Sequence, residues 1–152
     1  MPLNLPAFDP RLRLRTDGRP EVFDPLRRRW VIVTPEEQVR QTFVNYLCAH
    51  LGYPAALMAN EHSLRLNDTA RRCDTVVFSR NLVPLMIVEY KRPSVAISAD
   101  VFNQIARYNS VIGAPWLVVS NGMSHFCCRF TGTGYQFLNH IPTYAEICAD
   151  TH

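Results

Sequence analysis

The 152-residue chain contains no apolar run near the ~18 residues a membrane-spanning helix needs, which leaves no basis for a helical membrane anchor. No charged-then-apolar pattern opens it, so the expectation is a cytoplasmic protein with no membrane partner. Its five cysteines, Cys48, Cys73, Cys127, Cys128 and Cys148, include no C-x-x-C pair, and the spacing of a structural zinc site is therefore missing. Cys127 and Cys128 are adjacent and would face opposite sides of a strand, which fits buried free thiols in a reducing compartment. Net charge is also scarce. Sixteen Lys and Arg against thirteen Asp and Glu give +3, which allows a phosphate-rich partner but is far from a histone-like excess. Internal repeats and low-complexity tracts are absent, and nothing specifies an oligomeric state.

What is present reads as one ordinary domain, because the chain is 47% hydrophobic and has room for a single core. Residues 1–29 hold five prolines and a basic set including Arg11, Arg13, Arg15 and Arg27 to Arg29. They predict an irregular arm packed on a domain of residues 30–152, with a short strand near Trp30. A helix then starts at Thr34, an N-cap followed by Pro35 and, three residues after the cap, Glu37 in the capping-box position. It is expected to run to Leu51, where Gly52 stops it. Strands are predicted over residues 56–66, 73–79 and 84–91, a second helix over 99–112, and further strands over 116–120, 124–130 and 135–138. Asn121-Gly122 marks a hairpin between two of these strands. The order is α-β-β-β-α-β with trailing strands, an α/β fold with a central mixed sheet flanked by helices.

The strands at 73–79 and 84–91 predict an antiparallel hairpin. Symmetric pairing sets Phe78 against Leu85, Val76 against Ile87 and Asp74 against Glu89. Opposed side chains have Cβ atoms roughly 4.5–5.5 Å apart, and like charges placed so destabilise the pair. An otherwise apolar hairpin therefore holds two carboxylates where they repel unless a cation lies between them. Lys91 is two residues beyond Glu89, on the same face and about 7 Å farther along. Phosphodiester hydrolysis uses such a set: hard carboxylate oxygens hold Mg²⁺, with Mn²⁺ as substitute, and a lysine orients the attacking water or offsets phosphate charge. The competing reading of the three residues is a structural salt-bridge cluster.

The run Arg72-Cys73-Asp74, followed by Glu89-Tyr90-Lys91, resembles the PD-(D/E)xK nuclease signature and, more specifically, the N-terminal nuclease domain of type I restriction enzyme R subunits. Thr34-Pro35-Glu36-Glu37-Gln38-Val39-Arg40-Gln41, Gln104 with Tyr108, and Ser120-Asn121-Gly122 extend the resemblance over residues 34–130. It departs where Cys73 replaces the signature's proline and Tyr90 stands between Glu89 and Lys91. The resemblance implies a restriction-endonuclease-like fold and a Mg²⁺-dependent endonuclease acting on DNA, with Asp74, Glu89, Lys91, Gln104 and Tyr108 catalytic. It also implies a helix glutamate beside the metal. The helical wheel puts Glu36 within roughly 20–30° of the middle of the apolar face, so Glu36 is assigned to the metal with Asp74 and Glu89, and Glu37 to the cap. Arg71, Arg72 and Arg92 flank the site as phosphate contacts. Arg40 fits either an ion pair with Glu36 or a support for the site. R subunits carry an ATP-driven motor, but no G-x-x-x-x-G-K-[ST] loop is present, so a separate motor or specificity partner is expected. A non-catalytic nucleic-acid-binding or assembly module of the same fold is the alternative.

Overall fold

The computed structural model describes residues 2–66 and 69–149. The chain between Leu12 and Ile32 is not an irregular arm. It forms a three-stranded antiparallel meander of β1 (Leu12–Leu14), β2 (Pro20–Asp24) and β3 (Arg29–Ile32), so the sheet runs through the expected boundary at residue 29. Asp17-Gly18 makes the first turn, with Gly18 at φ 87° and Arg15 and Arg19 bonded across it. Pro20 starts β2 and Pro25 lies in the turn after it, where a missing N–H costs little.

α1 (Pro35–His50) begins at the Thr34 cap, whose hydroxyl accepts the Glu37 N–H at 3.0 Å. Only half of the capping box is made, because the Glu37 carboxylate bonds to Arg27 and Gln41 instead. Gly52 then takes φ 74°, a left-handed turn suited to glycine, and Tyr53 N–H closes onto the Leu47 carbonyl. β4 (Met58–Leu66), β5 (Thr69–Phe78) and β6 (Pro84–Tyr90) pair antiparallel in sequence. α2 (Ala99–Ser110), capped by Ser98, crosses over to β7 (Trp116–Ser120), which lies parallel to β6. β8 (His125–Phe130) and β9 (Tyr135–Leu138) complete a six-stranded mixed sheet in the order β4-β5-β6-β7-β8-β9.

Each face of the sheet is closed by one long helix. Val39, Phe43 and Leu47 of α1 pack on Val77, Met86, Val88 and Tyr90, whereas Phe102 and Ala106 of α2 pack on Val76, Ile87, Leu117 and Val119. The alternation of β6 between these two clusters puts Glu89, in step with Ile87, on the α2 side. A short helix that the sequence reading omits, α3 (Tyr144–Ala149), seats Ile147 in the α1-side cluster. Thr143 and Glu146 form its capping box, with Glu146 N–H on the Thr143 hydroxyl and Thr143 N–H on the Glu146 carboxylate, each at 3.2 Å. Among the described residues no helix is long and apolar enough to cross a membrane.

Candidate metal and phosphate site

The β5–β6 ladder pairs Thr75 with Val88, Val76 with Ile87 and Val77 with Met86, which makes Asp74 and Glu89 the next residues of the same register. Phe78 pairs with Pro84 rather than Leu85. The turn explains the slip: Leu82 sits at φ 62°, Ser79 N–H reaches the Val83 carbonyl, and Pro84 has no N–H to continue the ladder. The irregularity is confined to the turn, so the carboxylate end of the hairpin continues the expected register.

Asp74, Glu89 and Lys91 line one open pocket of 480 Å³, together with Glu36 from α1, Arg72 from β5 and Gln104, Tyr108 and Asn109 from α2. Asp74 is fixed twice. Its Oδ2 accepts the Tyr90 N–H at 2.9 Å, and its main-chain carbonyl accepts the Arg40 guanidinium at 2.8 Å. Lys91 follows the last residue of β6 and is held by its own N–H on the Ser120 carbonyl at 2.9 Å. Asn121 donates to the Val95 carbonyl at 2.8 Å and so ties down the loop after Lys91. Gly122 suits this turn because it takes φ 85°, and a Cβ there would also press on the end of the Leu3 side chain at 2.9 Å. The Ser-Asn-Gly run thus supports the lysine strand end without entering the pocket.

The carboxylates are in an unequal environment. Burial first, and the neighbouring Asp74 charge and hydrogen bond next, push the Glu89 carboxyl well above the ordinary glutamate range, against the pull of Asn109 and Lys91. Glu89 Oε1 is buried with no hydrogen-bond partner. A buried acceptor without a donor is costly, and a cation between the two carboxylates would satisfy it. Among the described residues no three His, Cys, Asp or Glu side chains group closely enough to hold a metal. Two carboxylates opening on a solvent-accessible pocket match Mg²⁺, which keeps several waters and takes few protein ligands, better than a closed all-protein cage.

Glu36 shares this pocket, and Glu37 does not. The physical reason differs from the helical wheel. Glu37 is the buried one, 7% exposed, because the meander covers a second side of α1 and meets it with Arg27. Glu36 reaches solvent at the pocket rim, where partial burial and then the Asp74 charge raise its carboxyl, with Arg40 and Lys91 pulling it down. Arg40 is engaged by Glu37 and Glu61 at 3.2 and 2.5 Å as well as by the Asp74 carbonyl, which makes it a support for the site.

Gln104 and Tyr108 line the pocket from adjacent turns of α2. The Arg71 guanidinium lies 3.7 Å over the Tyr108 ring, and Arg72 is tethered to Glu61 at 2.7 Å. Arg92 is exposed and stays outside the pocket lining. Asn109 and Glu61 were not singled out from the sequence. Asn109 is buried beside Glu89, one residue beyond Tyr108, and helical spacing from Ile105 and Phe102 would have placed it inward. Glu61 lies across from Asp74 in β4 at φ 52°, a conformation that costs a non-glycine residue on the order of 1–3 kcal/mol. No one-dimensional pattern signals that.

A solved fragment described as an HsdR subunit of a type I restriction enzyme, from Vibrio vulnificus, shares the fold at a TM-score of 0.56 and 16% identity. The match covers 77% of this chain and 25% of that one, so this chain spans about a quarter of its length. The chain belongs to the family described as type I restriction enzyme R protein N terminus, whose model matches residues 35–142. Among curated proteins none matches.

Proposed function

We propose that this domain is a Mg²⁺-dependent endonuclease that hydrolyses DNA phosphodiester bonds. The observation that carries the reading is the Asp74–Glu89 pair, with its partnerless buried oxygen, facing Lys91 in one pocket. When bound, Mg²⁺ would supply Lewis-acid polarisation of the phosphate and a more acidic water. Asp74 and Glu89 would hold it, and Glu36 at the rim adds negative potential that favours a cation. The Lys91 ammonium offsets charge growing on the phosphate or orients the attacking water. Gln104 and Tyr108 brace that arrangement from α2, and Arg71 and Arg72 contact the DNA backbone on either side, with exposed Arg92 as a more distant contact. Family membership and the chemistry of the donor set support DNA as substrate. These 152 residues carry no G-x-x-x-x-G-K-[ST] loop, so a motor or specificity partner would supply translocation and sequence recognition.

The test is nicking of supercoiled plasmid with Mg²⁺ or Mn²⁺ against chelator. Lys91→Ala is expected to lower the rate at least 10²-fold while leaving the melting temperature and Mn²⁺ binding near wild type, because the lysine acts mainly on the transition state. A wild type that binds duplex, single-stranded and branched DNA yet cleaves none of them with either metal would make the domain a non-catalytic module.

A further inference from the structure

Behind the carboxylate pair lies a second set of charges, and it begins in the meander, which the family model beginning at residue 35 does not reach. Asp24 ends β2 with its side chain fully buried and accepts from the Leu26 N–H at 2.7 Å, the Asn60 amide at 3.0 Å and the Arg27 guanidinium. Two chains of contacts lead from it to the site. The ionic chain passes from Arg27 to Glu37 at 2.7 Å, then to Arg40 at 3.2 Å, and from Arg40 to the Asp74 carbonyl at 2.8 Å and Glu61 at 2.5 Å. The neutral chain passes from Asn60, whose amide oxygen accepts the Thr75 hydroxyl at 2.6 Å, to the Tyr90 hydroxyl 2.9 Å from Thr75. Tyr90 then supplies the N–H that fixes Asp74 Oδ2.

Both chains end on Asp74, one at its carbonyl and one beside its carboxylate. We infer that the N-terminal meander is a positioning element of the carboxylate site, with Asp24 as its root and Arg27 and Thr75 as the links that transmit its placement to Asp74. The inference rests on the metal-nuclease reading above. Three features separate it from a simple packing contact. Asp24 at the root and Thr75 in the neutral chain are fully buried, and Arg27 is only 13% exposed, so the hydrogen bonds these residues make are largely shielded from water, which strengthens them. Glu61 holds its left-handed φ where it receives both Arg40 and Arg72, so the ionic chain maintains a conformation the strand alone disfavours. The Tyr90 N–H is the main-chain donor to the Asp74 carboxylate, and contacts behind a metal ligand set its orientation and basicity.

Thr75→Val removes the linking hydroxyl at nearly constant volume, and Thr75→Ser restores it. Arg27→Met cuts the ionic chain at its origin. Mn²⁺ affinity by calorimetry and amide exchange at Tyr90 are measured well below each variant's melting temperature. Thr75→Val and Arg27→Met are expected to weaken Mn²⁺ binding about tenfold or more and to speed Tyr90 exchange, with Thr75→Ser close to wild type. Folded variants that keep both the wild-type Mn²⁺ affinity and the wild-type Tyr90 exchange would overturn the inference. Should Arg27→Met fail to fold, Thr75→Val alone decides. A wild type that binds no Mn²⁺ counts against the metal-nuclease reading instead, and the Tyr90 exchange rates then decide whether the meander positions Asp74.

Discussion

The contacts running from Asp24 to Glu61 and the Asp74–Glu89 pair are made of the same residue types a strand apart, yet they are wired in opposite ways. In the first, each carboxylate has an arginine. Burial raises the Asp24 carboxyl, but Asn60, Arg27 and the Leu26 N–H outweigh it and leave the group below its ordinary range. Burial likewise works against Glu61, and Arg72 and Arg40 outweigh it. In the second, burial and the neighbouring acid act in the same direction, so Glu89 rises. A fold assembled for stability alone would not leave two half-buried acids facing each other, one with a buried oxygen, beside arginines already engaged elsewhere. The matched set holds the architecture, and the unmatched pair is where the proposed cation would sit.

If that contrast is right, cutting the matched set should cost the most stability. Arg40→Met leaves Glu37 and Glu61 without a shared buried partner and frees the Asp74 carbonyl, so about 3–5 kcal/mol should be lost in urea unfolding at pH 7. The pH dependence follows from the sign of the shifts. Asp24 and Glu61 are held low, so their contribution is complete above the ordinary carboxylate range and is lost as pH falls through their lowered values. A loss under about 1 kcal/mol, the level of an exposed ion pair, would dissolve the distinction between the two regions.

The unmatched pair should respond with the opposite sign. Glu89 is held high, so without metal it costs stability as pH rises from the ordinary carboxylate range through its raised value. Glu89→Gln removes that titration. The variant should be more stable than wild type at pH 8 in chelator, on the order of 1–3 kcal/mol, and this gain should shrink toward pH 5 as the wild-type carboxyl takes its proton. Mn²⁺ should reverse the order at pH 8 by binding the folded wild type alone. Denaturation curves at both pH values, with and without Mn²⁺, make the check, and a Glu89→Gln variant less stable at pH 8 in chelator contradicts the unmatched pair.

The grouping of Asp74, Glu89 and Lys91 was legible because a strand alternates with period two and a hairpin pairs symmetrically away from its turn. Gln104 and Tyr108 were legible in the same way from the helical period. The misses share a cause, since each depends on a partner distant in sequence or on a backbone angle. Glu37 looked outward because the wheel counted one apolar face, whereas the meander buries a second. The meander looked irregular because its prolines outweighed its few apolar residues, although Asp17-Gly18 between short runs carried a hairpin signal. The left-handed residues Glu61 and Leu82 have no compositional mark at all. For α3, the Thr143-x-x-Glu146 cap was present, but six residues are too few to show a helical period.

That last helix supplies the smallest predicted effect and the control for the others. α3 lies on the α1 side of the sheet: Ile147 packs among the residues under α1, and the Tyr144 hydroxyl bonds the Phe78 carbonyl at 3.0 Å, at the turn end of the hairpin rather than the carboxylate end. Among the described residues, the bonds that hold Asp74 and Lys91 come from Tyr90, Arg40 and Ser120, and the pocket is lined by other elements than α3. Thr143→Ala removes the hydroxyl that accepts the Glu146 N–H and leaves the Glu146 carboxylate without one of its two bonds to residue 143. The loss of a helix cap should cost about 1 kcal/mol, seen as a lower urea midpoint with an unchanged slope. Mn²⁺ affinity and Tyr90 amide exchange at low temperature should both match wild type, because nothing in the cap touches the chains that end on Asp74. The variant therefore separates a general loss of stability from a loss of positioning. A fall in Mn²⁺ affinity as large for Thr143→Ala as for Thr75→Val would mean that the site responds to global stability, and the contrast between anchor and site would lose its force.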